Sequence, residues 1–247
     1  MQQTAVTALR VLDEVARRQP IGVTQLAKEM DMPKSTMQRA LRALEASGWI
    51  RQSGGGDTGW VLTTKPIDMA RRVSADTGLR EHAHSAMAAL RDRTGESVHL
   101  AVREGSDVVI IEVEESPSPV RIHWPAGTRS ACHATANGKA MLAYLEPAEL
   151  DTILGDTLPG FTPATITEKD SLAAELALVR ERGYAIAEGE LREDIASLAA
   201  PILSRTGSPL ASLSVFLPIH RMPTDGGLAM GEQVRRAADE VSSKFHI

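Results

Sequence analysis

Three apolar stripes in the first 46 residues, followed by a glycine-rich hairpin, constrain the fold of this chain more than any other feature. From Ala5 to Ala16 the apolar positions Ala5, Ala8, Leu9, Leu12, Val15 and Ala16 recur every three or four residues, the period of one buried helical face. Pro20 and Gly22 end that helix. A second runs through Leu26, Ala27 and Met30 with Thr24 placed to cap it, and the break Asp31-Met32-Pro33 sets a proline at the start of a third. In the third helix Met37, Ala40, Leu41 and Leu44 form the inward stripe, which leaves Lys34, Ser35, Gln38, Arg39 and Arg42 facing elsewhere. Gly48 stops it. Trp49 to Gln52 then reads as a short strand, Ser53 to Gly59 as a turn whose glycines supply positive φ, and Trp60 to Leu62 as the returning strand. Three helices with a short break before the third, closed by such a hairpin, make a winged helix-turn-helix.

Charge divides the chain in the same place. The net charge of -5 and the pI of about 5.8 argue, taken whole, against a nucleic-acid binder. Residues 1–75, however, hold 11 basic and 7 acidic side chains, which leaves 16 basic and 25 acidic for the remainder. Only the N-terminal module is suited to meet a polyanion. A helix entering the major groove needs donors on its outer face, and Lys34, Ser35, Thr36, Gln38, Arg39 and Arg42 supply them, bonding phosphates near the helix start and base edges further along. For an isolated helix these residues would be an ordinary solvated face; the preceding helix, the break and the wing favour double-stranded DNA. Arg51 beside the wing, with Lys65, Arg10, Arg17 and Arg18, can add phosphate contacts or serve solubility.

Beyond the hairpin, residues 65–94 are again helical in period, with Ile67, Met69, Ala70 and Val73 in one stretch and Leu79, Ala83, Ala86, Met87 and Leu90 in another. Gly78 separates them. This predicts a winged module over 1–64, a connecting helix and hinge over 65–78, and a second domain over 79–247. In that domain strands are expected at Val98 to Val102, Val108 to Val113, Val120 to His123, Tyr184 to Glu188, Ile195 to Ile202 and Leu210 to Leu217. Helices are expected at about 137–145, 147–153, 170–182 and 225–245. Strands on both sides of a helical block indicate an α+β sheet domain.

Enzymatic readings find little support. The glycine run 54–59 lacks the strand-to-helix context of a dinucleotide site, and no Gly-x-Ser-x-Gly occurs. His82 and His84 point away from each other on a helix, and the other histidines are scattered, so no metal or cofactor is expected. Cys132 and His133 are adjacent, which rarely aligns a nucleophile with its base. The single cysteine excludes an internal disulfide, no apolar run reaches the ~20 residues that cross a bilayer, and Met1 to Pro20 carries no secretory leader, all of which points to the cytoplasm.

Several segments resemble the IclR-type bacterial transcription regulators. They are Pro33-Lys34-Ser35-Thr36 with Arg39, Leu44-Glu45 and Gly48-Trp49-Ile50; His133-Ala134-Thr135-Ala136-Asn137-Gly138-Lys139-Ala140; Thr162-Pro163 with Thr165-Ile166-Thr167; and Arg180 to Tyr184 with Glu190, Ser197 and Ala199-Ala200-Pro201. The resemblance implies a GAF-like effector domain that binds a small metabolite, often an organic acid, and a homodimer or homotetramer acting on operator DNA as a repressor. Carried over position by position, it places the effector among Ile122, Ser130, Ala136, Asn137, Ala187, Ile195, Ser197, Ser214 and Phe216. Ala187, Ser197 and Phe216 replace the aspartate, cysteine and serine found in better-known members, which implies a less polar pocket. Phe216 with Trp124 suits an apolar or aromatic ligand stem, or both are plain core aromatics. Asn137-Gly138-Lys139 opens a helix, so its backbone N–H groups can hold an anion, or Thr135 simply caps them. The competing function is a metabolite-binding or catalytic GAF-like protein whose N-terminal module serves only assembly.

Overall fold

The computed structural model describes residues 2–54, 59–69, 78–155 and 157–245. Chain contacts divide it between Thr77 and Gly78. Most of the expected connecting segment (70–77) and the tip of the expected hairpin turn (55–58) lie outside the described residues.

The first unit holds α1 (Gln2–Arg18), α2 (Val23–Glu29), α3 (Lys34–Ala46), β1 (Ile50–Gln52) and β2 (Trp60–Leu62). Its core is Val11, Val15, Ile21, Leu26, Met37, Leu41, Leu44 and Ile50. In α1 the buried face is turned from the expected one: Val11 and Val15 are inside, whereas Leu9 is 60% exposed. Both stripes have helical spacing and share Val15, with Ala8 and Leu12 partly buried against the core, and packing against α3 decides between Val11 and Leu9. Thr24 does not cap α2, because the helix starts two residues earlier than expected, with Gly22 at its N-cap and no side-chain bond there. The strands pair antiparallel, Arg51 opposite Val61. Ile21 exchanges backbone bonds with Trp60 (3.2 and 2.9 Å), which ties the hairpin to the turn between α1 and α2. Gly59 permits this approach, since a Cβ there would lie 2.9 Å from the Ile21 nitrogen. Residues 65–69 are helical, as the period required.

The second unit is built on six antiparallel strands: β3 (Ser97–Glu104), β4 (Asp107–Glu114), β5 (Arg129–Ala131), β6 (Ala185–Glu188), β7 (Ile195–Leu203) and β8 (Pro209–Pro218). Their spatial order is β5-β4-β3-β8-β7-β6, so the central pair β3 and β8 comes from opposite ends of the domain. Strand alternation sends Val98, Leu100, Leu198, Leu213 and Val215 to one face, where α4 (Leu79–Thr94) and α8 (Leu228–Ser243) bury them. The other face carries smaller residues, among them Ala187 and Ala199, and receives α5 (Ala136–Leu142) and α7 (Lys169–Arg182), while α6 (Pro147–Leu154) lies between those two in sequence.

One expected strand is absent. Residues 120–123 are irregular, Val120 is 65% exposed, and the strand on the far side of β4 from β3 is Arg129–Ala131 instead. Pro117, Pro119 and Pro125 around the apolar run lack the N–H groups a ladder needs. Arg221 holds this segment by donating to Ser118 Oγ (3.2 Å) and the Val120 carbonyl (3.0 Å) while pairing with Glu96 (2.8 Å).

Candidate nucleic-acid interface and buried chamber

On α3 the inward stripe is the expected one: Met37, Ala40, Leu41 and Leu44 are buried. Lys34, Ser35, Gln38, Arg39 and Arg42 are exposed, as is Arg51 on β1. Thr36 is half-buried and accepts a long bond from Arg39 Nη2 (3.5 Å). Pro33 occupies the N-cap and no side chain caps the helix; the Thr36 amide already bonds the Pro33 carbonyl (2.9 Å), which leaves the Lys34 and Ser35 amides at the helix start to meet an anion. Thr36 and Arg39 also border a groove against α1 of about 310 Å³, with Thr4, Thr7 and Met32. Lys65 is used locally: its ammonium donates to the Ser47 carbonyl (2.6 Å) and lies 5.0 Å from the Trp49 ring centre.

In the second unit the sheet register brings several expected residues into rows. Ala187, Ser197 and Phe216 are successive partners across β6, β7 and β8, and Ser97 on β3 continues the row. The next row is Ala185, Ala199, Ser214 and His99. Over this face stands the start of α5, where Asn137 Nδ2 donates to Ser212 Oγ (3.0 Å). Ala187, Ile195 and Phe216 border an inner chamber with Trp124, Thr135, Glu190, Leu191 and Arg192. Its free volume is about 20 Å³, space for about one water. Ser130 lies instead on a neighbouring outer cavity of about 780 Å³, which shares Trp124, Leu191 and Arg192 with the chamber. Ala136, Asn137, Ser197 and Ser214 are buried around these spaces without lining them, and Ile122 is half-buried on the 115–128 segment and lines neither. At the α5 start, capping is what the geometry displays: Thr135 Oγ1 accepts from the Gly138 amide (3.2 Å).

Three features of this site went unread in the sequence. Lys139, 1% exposed, reaches across to Glu190 Oε1 (2.6 Å) and more distantly to Glu175 (3.7 Å), which Arg182 also binds (2.8 Å). Burial raises the Glu190 carboxyl above its usual range while Lys139 pulls it back. Thr162 and Thr165 stitch their loop to the same turn, donating to the Gly189 and Glu190 carbonyls (both 2.6 Å). His99 is fully buried, with its ring edge-on to Phe216 at 4.7 Å. Only the resemblance marked the lysine and threonine segments; an alternating strand pattern gives no sign that His99 lies behind the Phe216 ring. Gly138 explains itself sterically, because any Cβ would strike the Cys132 backbone. Burial drives the Cys132 thiol up to about 12, and His133 is held to the Pro159 carbonyl (2.9 Å), so the adjacent pair forms no nucleophile and base. No metal-holding cluster and no helix able to span a membrane occur among the described residues.

Residues 4–54 match the IclR helix-turn-helix domain, and residues 72–243 match the family described as bacterial transcriptional regulator IclR C-terminal. The chain belongs to the IclR family. Among its relatives is the HTH-type transcriptional regulator BhcR of Paracoccus denitrificans, 33% identical over 95% of this chain and 84% of BhcR. The Thermotoga maritima IclR structure superposes with a TM-score of 0.84 at 26% identity over the full length of both chains. An IclR homolog from Microbacterium hydrocarbonoxydans, complexed with 4-hydroxybenzoate, gives 0.83 at 25% identity over 98% of each chain. This IclR-family chain is therefore a transcription regulator with an N-terminal DNA-binding helix-turn-helix and a C-terminal effector domain. The assembly-module alternative is not favoured, since the relatives are named as transcriptional regulators.

Proposed function

We propose that the protein is a repressor in the cytoplasm, a homodimer or homotetramer that binds paired operator half-sites and responds to a small organic acid, with aromatic acids within its range. The observation that carries the DNA half of this reading is the division of α3 into a buried stripe and an exposed row of Lys34, Ser35, Gln38, Arg39 and Arg42. A two-fold assembly reads two-fold or repeated sites. For the effector half, the chamber bordered by Thr135, Ala187, Ile195 and Phe216, with Ser197 and Ser214 in the rows behind it, sets a few polar groups in apolar wall, a space suited to an acid with an apolar stem. The 4-hydroxybenzoate complex of the Microbacterium relative makes that compound the first to try.

The test begins with duplexes selected from a random library by the full-length protein. On the selected sequence, Gln38→Ala relaxes base preference by ~1–3 kcal/mol, whereas Arg39→Ala weakens all sequences alike and flattens the salt dependence. Unchanged affinity in both variants refutes the assignment of α3. Sedimentation of a single monomer, or a selected site with one unpaired half-site, refutes the proposed assembly.

A further inference from the structure

We infer that the His99 imidazole, beneath the inner chamber, is the hydrogen-bonding seat for the carboxylate end of an organic-acid effector; this rests on reading the chamber as the effector site. His99 belongs to the central strand β3, on the face that α5 covers, opposite Ser214 in the register. Both of its ring nitrogens are buried and have no hydrogen-bond partner. Native proteins pair nearly all such atoms, and an imidazole left without one is a standing cost to stability. It is not an isolated case. Trp124 Nε1 and Glu190 Oε2, on two walls of the same chamber, are also buried and unpartnered. Unsatisfied polar groups from three separate elements therefore gather around one small space, and His99 touches the Phe216 ring that borders it.

Apart from Glu190 Oε2, the surrounding charges are already engaged. Glu115, on the segment after β4, pairs with Arg121 (2.8 Å) and His123 (3.0 Å); Lys139 on α5 pairs with Glu190; and Arg192 at the rim pairs with Asp194 (3.3 Å). Burial, reinforced by His123 and opposed by Glu115, holds the His99 pKa down at about 3. The ring is neutral at physiological pH, so one nitrogen donates and the other accepts. A carboxylate entering this space needs a donor to offset its lost hydration, and the His99 N–H meets that need, since the Ser214 hydroxyl already donates to the His99 carbonyl (3.3 Å). With room for about one water, the acid enters only as Phe216 or Trp124 turns aside, and turning Phe216 also uncovers the His99 ring.

The experiment uses the full chain, with 4-hydroxybenzoate and pyruvate as aromatic and aliphatic probes. Titration calorimetry gives affinities, and calorimetric melting gives the stability of the unliganded protein. His99→Phe removes two unpaired polar atoms and keeps the ring contact, so its melting temperature equals or exceeds that of wild type while acid affinity falls about tenfold or more. His99→Gln restores a donor and keeps affinity within about threefold. Acid binding that Ser214→Ala weakens but His99→Phe leaves intact overturns this inference and spares the chamber reading. A His99→Phe protein that melts lower, with His99→Gln binding as poorly, marks His99 as structural and also overturns it. Binding of neither acid to wild type overturns the chamber reading and this inference together. If His99→Phe does not fold, ¹⁵N-histidine spectra of wild type decide: His99 ring signals shift on adding acid, and unmoved signals refute the contact.

Discussion

Lys139→Met tests how far the buried ion pair holds the effector domain together. The ammonium lies 2.6 Å from Glu190 Oε1, and at an effective dielectric constant of ~20 that separation corresponds to roughly 6 kcal/mol of attraction. Desolvation of both groups offsets much of this. Removing the cation alone leaves Glu190 buried beside Glu175 with no counter-charge, for which a loss of about 3–5 kcal/mol is expected. In a domain spanning Gly78–Ile247 each kcal/mol moves the melting midpoint by ~2–4 °C, so the effector-domain transition should fall by roughly 6–20 °C. Glu190→Gln in the same protein removes the stranded charge, and Lys139→Met with Glu190→Gln should recover about half the loss or more. The pH dependence has a definite sign. Burial raises the folded-state Glu190 pKa, and loss of Lys139 raises it further. A raised carboxyl pKa favours the folded state at low pH, an advantage lost as pH climbs from the ordinary carboxylate range through the folded value. The single variant is therefore closer to wild type at pH 5.5 than at pH 8. Scanning calorimetry of the three proteins measures all of this. A single-variant loss under about 1 kcal/mol, or a double variant no better than the single, refutes the reasoning.

Three further outcomes are expected. Gly138→Ala forces a methyl group into the Cys132 backbone, which cannot move aside as a side chain would, and should cost about 3 kcal/mol or more by chemical denaturation; a loss within about 0.5 kcal/mol contradicts the packing. Cys132 should resist a thiol reagent at pH 8 in the native protein and react once denatured, because it is buried with its thiol raised to about 12; full labelling within minutes under native conditions contradicts this. Phe216→Ser should enlarge the chamber and shift preference from 4-hydroxybenzoate toward pyruvate in competition calorimetry; an unchanged ratio argues that Phe216 is a core residue only.

The helix-turn-helix was legible because its signals are local. Helical period, the break at Asp31-Met32-Pro33 and the glycines of the hairpin each act over a few residues, and the inward stripe of α3 agrees residue for residue. Helix α1 shows the limit, since two stripes share one period and only packing against α3 selects Val11 over Leu9. In the second domain the segment 120–123 was misread because β-branched residues outweighed the flanking prolines. His99 was invisible for a different reason. Its role depends on β3 pairing with β8, residues more than a hundred positions away, and strand alternation alone cannot say which face meets a chamber. Thr135 had two readings in the sequence, and the bond from the Gly138 amide to its hydroxyl (3.2 Å) supports capping.

The backbone bonds between Ile21 and Trp60 make a rigid gauge of the N-terminal module. They set the returning strand of the wing against the turn between α1 and α2, while Leu41 and Leu44 key α3 into the same core. On the reading proposed for α3, its exposed side chains and the base of the hairpin would then meet a duplex at one fixed separation. A binding site of the wrong contour must itself bend or widen, and DNA stiffness becomes part of recognition at base pairs no side chain touches. Under the proposed two-fold assembly, freedom to accommodate different distances between half-sites would be supplied outside this module.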